Sequence, residues 1–227
     1  MTHLLDKEKK VFSQNGEDGI LQFIFESIPS INHFYVELGV GDGSECNTRY
    51  LKESFYWKGV WIDYLLTDSC AVYNARVTVE NVLEIFGKLS VPKRFGLLSI
   101  DLDSNDYWIA ARILGSYSPD VIVVEYNGSY PPPECCAVEY DPNLIWSGTD
   151  YFGASINAWF KLLSKFGYSL IGAESRGVNA FFIRSECLPS TLRPLTPEEA
   201  YVPPRYGLLV GGAFIGHAKD ARRLIKV

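Results

Sequence analysis

The sequence has no apolar run that approaches the roughly 18 residues of a membrane-spanning helix, so we expect no membrane span. Residues 1–18 are polar and charged, without the apolar core of a secretion signal. The sequence also has no internal repeat and no low-complexity segment. These absences favour a globular protein of the cytoplasm.

Cysteine occurs without the spacing of a metal site or a disulfide framework. No C-x-x-C pair is present, the number of cysteines is odd, and two of them are adjacent, which is poor geometry for a bridge. We therefore expect no zinc site and free thiols in a reducing compartment. The five cysteines are Cys46, Cys70, Cys135, Cys136 and Cys187.

Positive charge is scarce, with 21 Lys and Arg residues against 27 Asp and Glu residues and a formal net charge of −6. Nucleic-acid binding needs a basic face, so we expect no nucleic-acid partner. Histidine is rarer still: His3 is terminal, His33 precedes the first predicted strand and His217 is near the tail. None of the three is a clear candidate for a catalytic base.

The fractions of hydrophobic and charged residues are those of a protein with a folded core. The chain has 227 residues, of which 47% are hydrophobic and 21% are charged, as expected of one domain over 1–227. Apolar runs alternate with helix-like patterns, which predicts an α/β fold with strands covered on both faces. The predicted strands are 34–40, 58–64, 74–80, 95–102 and 120–126, and the predicted helices are 17–28, 44–54, 80–90 and 105–116.

The order of elements changes after the fifth predicted strand. A long loop at 127–150 precedes a helix at 152–167, and two further strands at 168–174 and 179–185 are separated by a short turn. That spacing predicts a hairpin, whereas a dinucleotide-binding sheet continues with further parallel units. We expect a mainly parallel seven-stranded sheet with an antiparallel C-terminal hairpin strand. Residues 186–227 form an extension that the sequence does not place.

A glycine-rich loop follows the first predicted strand, with Gly39, Gly41 and Gly43 two residues apart. The dinucleotide fingerprint G-x-G-x-x-G requires glycine where this sequence has Ser44. A triphosphate-binding loop requires a Lys followed by Ser or Thr, which is also missing. We therefore expect the three glycines to approach a different adenine-bearing cofactor.

Two carboxylates flank this loop and indicate which cofactor it is. Glu37 lies two residues before Gly39, where its charge could meet the ammonium of a methionine moiety. Asp63 ends the second predicted strand, where an acid can accept hydrogen bonds from ribose hydroxyls. Together they favour S-adenosylmethionine (SAM). Asp63 would suit NAD equally well, and either acid could be a strand-end carboxylate without a ligand.

Five blocks of sequence, in order along the chain, carry a resemblance to a known family. They are "SQNGEDGIL", "YVELGVGDGSECNT", "GLLSIDLDSNDYW", "DVIVVEYNGSYPP", and "DYFGASINA" with "GVNAFFIR". Together they resemble the FkbM-like family of SAM-dependent methyltransferases, in particular members found in bacterial glycan and capsule modification clusters. The resemblance covers the core 11–185 and leaves 186–227 uncovered.

This resemblance implies the class I methyltransferase Rossmann-like fold, with SAM as cofactor. It also implies methyl transfer to oxygen on a small molecule or a sugar, and it does not fix the acceptor. It places the first block near the methionine end of the cofactor, so Gln14 is a candidate contact. Ser13 or Asn15 suits the N-cap of the following helix, with Glu17 and Asp18 as favourable charges in its first turn.

A second candidate for the methionine end is Asn47, which we expect in the first turns of the helix at 44–54 and which could equally cap the loop. One departure from the family pattern weakens the role of Asp63, because an apolar segment stands where a polar turn is expected. The segment consists of Tyr64, Leu65 and Leu66.

Acidic clusters follow the fourth and fifth predicted strands, whose carboxyl ends meet at one edge of a parallel sheet. Asp101, Asp103 and Asp106 follow the fourth strand, and Glu125 and Asn127 follow the fifth. Asp101, Asp103, Glu125 and Asn127 offer the oxygen ligands that Mg²⁺ prefers, and Asp101 also lies beside the expected cofactor. Asp103, Glu125 and Asp106 are the candidate catalytic acids, with Asp103 or Glu125 as general base in the absence of metal. Alternatively, Asp103 caps the helix at 105–116 and Asp106 is a first-turn acid.

Aromatic side chains flank the same edge, where they could surround an acceptor or simply pack. They are Tyr126, Tyr130, Trp146, Tyr151 and Phe152. The loop at 127–150 is long enough to act as a lid over the acceptor.

Three hypotheses follow. The first is a SAM-dependent O-methyltransferase acting on a small-molecule or glycan-type acceptor, at a hydroxyl or a phosphate-type oxygen. The second is a catalytically idle SAM-fold binding module or partner subunit. The third is an NAD(P)-dependent oxidoreductase, which Ser44 and the terminal hairpin disfavour. The sequence does not indicate the oligomeric state.

Overall fold

The computed structural model describes residues 4–28, 32–65 and 71–227. Its helices are α1 (Glu17–Ser27), α2 (Arg49–Phe55), α3 (Val82–Lys88), α4 (Asp106–Leu114), α5 (Ile156–Lys165) and α6 (Pro197–Ala200). Its strands are β1 (Phe34–Leu38), β2 (Lys58–Asp63), β3 (Val72–Asn74), β4 (Arg94–Ile100), β5 (Ser118–Glu125), β6 (Cys136–Ala137), β7 (Tyr168–Ala173), β8 (Asn179–Arg184), β9 (Leu209–Val210), β10 (Ala213–Phe214) and β11 (Ile225–Lys226). Three residues singled out in the sequence, His3, Leu66 and Cys70, lie outside the described residues.

Seven strands form one sheet in the order β3-β2-β1-β4-β5-β8-β7. Strands β1 to β5 are parallel, and β8 runs antiparallel to both of its neighbours, β5 and β7. The predicted hairpin is therefore present, and its second strand lies between β5 and β7. The arrangement confirms the predicted α/β fold, a mainly parallel seven-stranded sheet of the class I methyltransferase Rossmann-like type.

The central strands are buried on both faces. On β4, Leu98 and Ile100 belong to an apolar cluster with α3, α4 and α5, whereas Leu97 belongs to a second cluster with α1 and α2. Successive side chains of a strand point to opposite faces, so both faces need apolar residues. This is why the strands are continuous apolar runs rather than alternating ones.

The third strand differs from its prediction. It spans Val72–Asn74 instead of 74–80, because the chain turns away from the sheet ahead of α3. The side chain of Asn81 closes that turn by accepting a hydrogen bond from the Thr78 amide at 2.8 Å and donating one to the Arg76 carbonyl at 2.8 Å. Side chains that hydrogen-bond nearby backbone in this way compete with strand pairing.

The extension 186–227, which the sequence did not place, folds back onto the loop at 127–150. Strand β11 pairs antiparallel with β6 inside that loop. Just beyond β5, the Tyr126 hydroxyl donates to the Val202 carbonyl at 2.6 Å and accepts from the Val202 amide at 3.2 Å. The extension is therefore held against the carboxyl end of β5.

Cys46, Cys135, Cys136 and Cys187, the cysteines within the described residues, are free thiols. No helix among those residues is long and apolar enough to cross a bilayer.

The carboxyl ends of β1 and β4 meet at Gly39. Its φ is +83°, and a Cβ built there would lie 1.5 Å from the carbonyl oxygen of Asp101. Gly41 also has a left-handed φ of +58°, but a Cβ there would meet no atom of the described residues within 4 Å. The two glycines therefore separate the effect of backbone conformation from the effect of close approach.

We expect Gly39→Ala to lower the free energy of unfolding by about 3 kcal/mol or more, because strain in φ and overlap with the backbone add. Gly41→Ala is expected to cost only about 1 kcal/mol, from φ alone. Urea denaturation of both variants measures the difference. Equal losses would contradict the close approach at Gly39.

Candidate functional site

Two adjacent cavities open at the carboxyl ends of the parallel strands, where ligands of such folds bind. Gly39 and Asp101 line both. The larger cavity, of about 310 Å³, is lined in addition by Gly41, Asp63–Leu65, Ala75–Val77, Leu102–Asn105 and Leu144–Trp146. The smaller, of about 130 Å³, is lined in addition by Gln14, Glu37, Glu45–Asn47 and Asn179.

Asp63 shapes the larger cavity through the glycine loop. Its carboxylate accepts hydrogen bonds from the Gly41 amide and from the Leu65 amide, both at 2.8 Å. The apolar segment that stands in place of the expected polar turn faces this cavity, since Tyr64 and Leu65 both line it and are about half exposed. Asp63 therefore keeps its predicted position, with an apolar surface beside it.

Gly43 was predicted to approach the cofactor, and the structure gives it another role. It has a φ of +79°, and a Cβ there would contact the ring of Trp61 at 3.1 Å. Gly43 lines neither cavity. Its small size is needed for packing against Trp61 instead.

Glu37 is buried beneath the smaller cavity and orders the loop above it. Its carboxylate accepts from the Asn47 amide at 2.7 Å, the Thr48 amide at 2.9 Å and the Thr48 hydroxyl at 2.6 Å. Burial raises the pKa of Glu37, and these hydrogen bonds act in the opposite direction. Because the carboxylate binds these amides, residues 44–48 form a turn, and α2 begins at Arg49 instead of residue 44.

Asn47 consequently lies before the helix rather than in its first turns. It lines the smaller cavity together with Gln14 and Asn179. The Asn47 amide group donates to the Ser99 hydroxyl at 3.1 Å, and that of Asn179 donates to Glu17 at 2.8 Å. The Asn179 Oδ1 is buried and has no hydrogen-bond partner within the described part of the chain, so it offers a free acceptor.

Two acids of the first sequence block, residues 13–21, bind the backbone that leads into α1. Asp18 accepts hydrogen bonds from the amides of Val11, Phe12 and Ser13 at 2.7–2.8 Å. Glu17 accepts from the two amides that precede it, at 2.8 and 2.9 Å. These acids do more than provide first-turn charge. The N-cap position of α1 is Gly16 rather than Ser13 or Asn15, but the Ser13 hydroxyl accepts a hydrogen bond from the Asp18 amide in the first turn at 3.1 Å.

Asp101, Asp103 and Glu125 form a cluster beyond β4 and β5. Each offers a carboxylate oxygen, and these oxygens lie within 4.8 Å of one another. Burial, followed by repulsion from the neighbouring carboxylates, raises the pKa of Asp103 to about 6 and raises the pKa of Asp101 and Glu125 well above their usual ranges. The Glu125 Oε2 is buried without a hydrogen-bond partner among the described residues. The cluster is thus suited to a shared proton or a bound cation.

Asp106, a member of the predicted acidic clusters, binds backbone amides instead. Asp106 is fully buried, and its carboxylate accepts from the amides of Leu102 at 2.7 Å and Ser104 at 2.9 Å. It fixes the turn that carries Asp103, so its assignment as a catalytic acid is corrected. Asp103 itself has a φ of +56° and does not cap α4, whose N-cap is Asn105.

Asn127 is likewise corrected as a metal ligand. Its amide nitrogen donates to the carbonyls of Asp150 at 2.8 Å and Phe152 at 3.0 Å, and its Oδ1 accepts from the Ser129 amide at 3.1 Å. With both ends of the amide bound to backbone, Asn127 closes the loop at 127–150. It does not belong to the group of potential ligands formed by the three acids.

Of the aromatic residues that the sequence places near this edge, one lines the larger cavity and the others pack elsewhere. Trp146 lines the larger cavity, as does the rest of the segment Leu144–Trp146 of the predicted lid. Tyr126 is bonded to the extension, Tyr130 lies 5.2 Å from the Lys219 ammonium, and Tyr151 lies 4.1 Å from the Arg222 guanidinium. These three pack against the extension, and Phe152 is fully buried.

The extension brings two further side chains to the site that the sequence did not indicate. His217 is half-buried among aromatic rings, 4.7 Å from Trp146, 5.7 Å from Phe152 and 5.3 Å from Tyr206. Burial lowers the pKa of His217, which keeps the ring neutral at neutral pH. Burial raises the pKa of Tyr206, and the charges of Glu125, Glu174 and Asp101 raise it further. The run "YGLLVGGAFIGH" contains both residues but has no pattern that shows where it folds.

Neither a family model nor a curated protein sequence matches the chain. Among solved structures, the citrinin polyketide synthase CMeT domain aligns with 74% of this chain and 51% of that chain, at 11% identity and a TM-score of 0.44. The CurJ carbon methyltransferase aligns with 73% and 52%, at 12% identity and a TM-score of 0.43. A SAM-dependent methyltransferase from Aquifex aeolicus aligns with 72% and 89%, at 9% identity and a TM-score of 0.34.

The chain thus spans about half the length of the first two of these structures. At such identities and scores the likenesses assign neither an activity nor a substrate to it. The fold itself rests on the observed order and direction of the strands.

The pKa of Asp103 leads to a test of the cluster by stability. The folded-state pKa of about 6 lies above the ordinary value of 3.8, so ionising Asp103 opposes folding, and stability is lost as pH rises through 6. We expect Asp103→Asn to stabilise the protein by about 1–3 kcal/mol more at pH 8 than at pH 4, both in excess EDTA. Urea denaturation at the two pH values measures this.

Asp42→Asn is the matched control. Asp42 is exposed, and hydrogen bonds from Ser44 lower its pKa, so its replacement should give no stabilisation at pH 8. If Asp103→Asn gave the same change at both pH values, the cluster would not oppose ionisation of Asp103.

Proposed function

We propose that the chain is a SAM-dependent O-methyltransferase. The observation that carries the proposal is the charge of the two cavities, which lie at the crevice of a Rossmann-like sheet. Asp63, Asp101 and Asp103 line the larger cavity, and Glu37 and Asp101 line the smaller. A dinucleotide or a triphosphate would bring phosphates against these carboxylates, whereas SAM has no phosphate and brings a sulfonium and an ammonium against its single carboxylate.

The residues present fit SAM at both ends. Tyr64, Leu65 and Trp146 provide an apolar surface in the larger cavity for an adenine, and Asp63 retains acceptor capacity for ribose hydroxyls beyond its two amide contacts. In the smaller cavity, Glu37 and the unpartnered Oδ1 of Asn179 are acceptors for an ammonium group. When bound, SAM supplies a methyl group on a sulfonium that leaves readily.

The acid cluster supports oxygen as the methyl acceptor. Methylation of a hydroxyl requires the removal of one proton, and a base works best when its pKa is near the working pH. The raised pKa of Asp103, about 6, suits that role, and Glu125 lies beside it as a second proton acceptor. We assign Asp103 as the general base, with Glu125 positioned to share its proton.

The same cluster fits a divalent cation, as part of the proposal. Asp101, Asp103 and Glu125 would hold Mg²⁺ through one oxygen each, and the chemistry it would supply is a lower pKa for the acceptor hydroxyl. Asn127 is not part of this set, because its side chain is bonded to backbone.

The acceptor proposed is a small-molecule or glycan-type hydroxyl or phosphate-type oxygen. This part of the proposal, and membership of the FkbM-like family, rest on the five sequence blocks and their order in residues 11–185. A screen of nucleotide sugars and other hydroxylated acceptors with radiolabelled SAM tests it directly.

SAM binding is the first test of the proposed function. In calorimetric titration we expect saturable binding with a dissociation constant below ~0.1 mM, and at least about tenfold weaker binding for Asp63→Asn. Asp42→Asn, outside both cavities, is the control and should bind as the native chain does. Absence of SAM binding at ~1 mM, or saturable binding of NADH in its place, would refute the proposal.

The role of Asp103 is tested with the acceptor found in that screen. We expect Asp103→Asn to lower kcat roughly 10²-fold or more while leaving SAM affinity nearly unchanged. SAM binding without turnover for any acceptor would favour the idle binding module. An unchanged kcat would exclude Asp103 as the base.

Magnesium is tested separately, by stability. We expect Mg²⁺ to raise the Tm of the native chain at pH 8 because it offsets the repulsion among the three acids, and to have little effect on Asp103→Asn. Full methyl transfer in excess EDTA would exclude a required metal.

A further inference from the structure

The extension carries an apolar hairpin, residues 208–215, that projects from the surface. Strands β9 and β10 pair antiparallel, with Leu209 opposite Phe214, and turn at Gly211 and Gly212, whose φ values are +58° and +84°. The large apolar side chains are exposed by 46–62%. They are Leu208, Leu209, Val210, Phe214 and Ile215.

Both faces of the apolar hairpin are exposed. Successive residues of a strand point to opposite faces, yet Leu209 and Val210, which are adjacent, are 62% and 58% exposed. A protein partner that packed against one face would leave the other in water. A ribbon that is apolar on both faces is instead suited to a medium that surrounds it.

Basic residues flank the hairpin along the sequence, in a chain that is otherwise acidic. Residues 201–227 contain five Lys and Arg and one Asp, which gives a formal charge of +4. Because the whole chain has a formal charge of −6, residues 1–200 have a formal charge of −10. The hairpin is closed at its base by a bridge between Gly207 and Gly216. Arg205 comes two residues before that bridge, and Arg223 comes seven residues after it. Lys219, which lies between the bridge and Arg223, is paired with Asp150 at 2.7 Å, so Arg205 and Arg223 are the basic residues considered for a ligand.

We propose that the apolar hairpin inserts into the interfacial region of an anionic membrane, with the basic residues on the lipid headgroups. Peripheral binding of this kind combines buried apolar area with attraction between Lys or Arg and acidic lipids. A second copy of the chain is the weaker partner, because a twofold contact would bring together two copies of residues 201–227, each with a formal charge of +4. Insertion needs no membrane-spanning helix.

Docking would also orient the candidate site. Tyr206 and His217 adjoin the two glycines that close the hairpin. His217 packs on Trp146, which lines the larger cavity. The base of the hairpin is therefore at the rim of the site, and insertion of its tip would hold that rim at the membrane surface.

The test is sedimentation of the full chain with vesicles, without SAM or acceptor, so that it does not depend on the proposed reaction. The probes are vesicles of phosphatidylcholine with about 40% phosphatidylglycerol, and vesicles of phosphatidylcholine alone. We expect binding to the anionic vesicles, reduced more than about tenfold by Leu209→Asp with Phe214→Asp. We expect a similar loss for Arg205→Glu with Arg223→Glu, and weakening with salt.

Tyr56→Asp is the matched control. Tyr56 is 87% exposed and precedes β2, at the opposite edge of the sheet from the site, so its replacement should leave binding unchanged. Thermal unfolding of each variant checks that the hairpin substitutions, made at exposed positions, do not unfold the chain.

Three outcomes would overturn the proposal. The native chain could fail to bind anionic vesicles, or bind them equally well after the hairpin substitutions. Alternatively, sedimentation equilibrium could show self-association that Leu209→Asp with Phe214→Asp abolishes, in a chain that does not bind vesicles. That last result would assign the apolar hairpin to a second copy of the chain.

Discussion

The contact between Gly39 and the carbonyl of Asp101 is the constraint on which the candidate site depends. The Gly39 amide donates to Ile62 of β2 at 2.9 Å, and the Asp101 amide donates to Leu38 of β1 at 3.0 Å. These bonds bring the ends of three parallel strands together where the strand order changes direction. Both cavities share Gly39 and Asp101, so this contact sets the distance between the proposed adenosine and methionine ends.

The carboxylates around that contact fall into two groups by how their charge is compensated. Glu37 and Asp63 accept hydrogen bonds from backbone amides, which fixes the loop after β1. For Glu37 these bonds partly offset the effect of burial on its pKa. Asp101, Asp103 and Glu125 accept no hydrogen bond from a backbone amide of the described residues, and burial, followed by their mutual repulsion, raises their pKa values. The first group shapes the site, and the second is able to exchange a proton or hold a cation.

The C-terminal extension completes this edge of the molecule. Its contact with Tyr126 holds it against the end of β5, and the pairing of β11 with β6 ties it to the loop at 127–150. Through His217, which packs on Trp146 and lies beside Tyr206, it adds side chains to the rim of the larger cavity. Residues 201–227, with a formal charge of +4, thus adjoin a site of acidic charge and present the apolar hairpin outward.

Local sequence determined the sheet, the glycine loop and the acids at the strand ends. Apolar periodicity and strand-end position depend on neighbouring residues, and these were sufficient to place Glu37, Asp63 and Asp101 at one edge. Local sequence could not determine that Asp106 binds backbone amides while Asp103 stays free. That depends on the turn at 102–106, which the Gly153 amide holds from a distant loop by donating to Ser104 at 3.1 Å.

The tertiary structure alone decided which distant segments meet. Asn127 looked like a metal ligand because it follows β5, yet the carbonyls of Asp150 and Phe152 occupy its amide. His217 looked remote because it is near the end of the chain, yet it packs on Trp146 at the site. Residue type and spacing fix what a side chain is able to bind. Which partner it binds in the folded protein depends on the path of the whole chain.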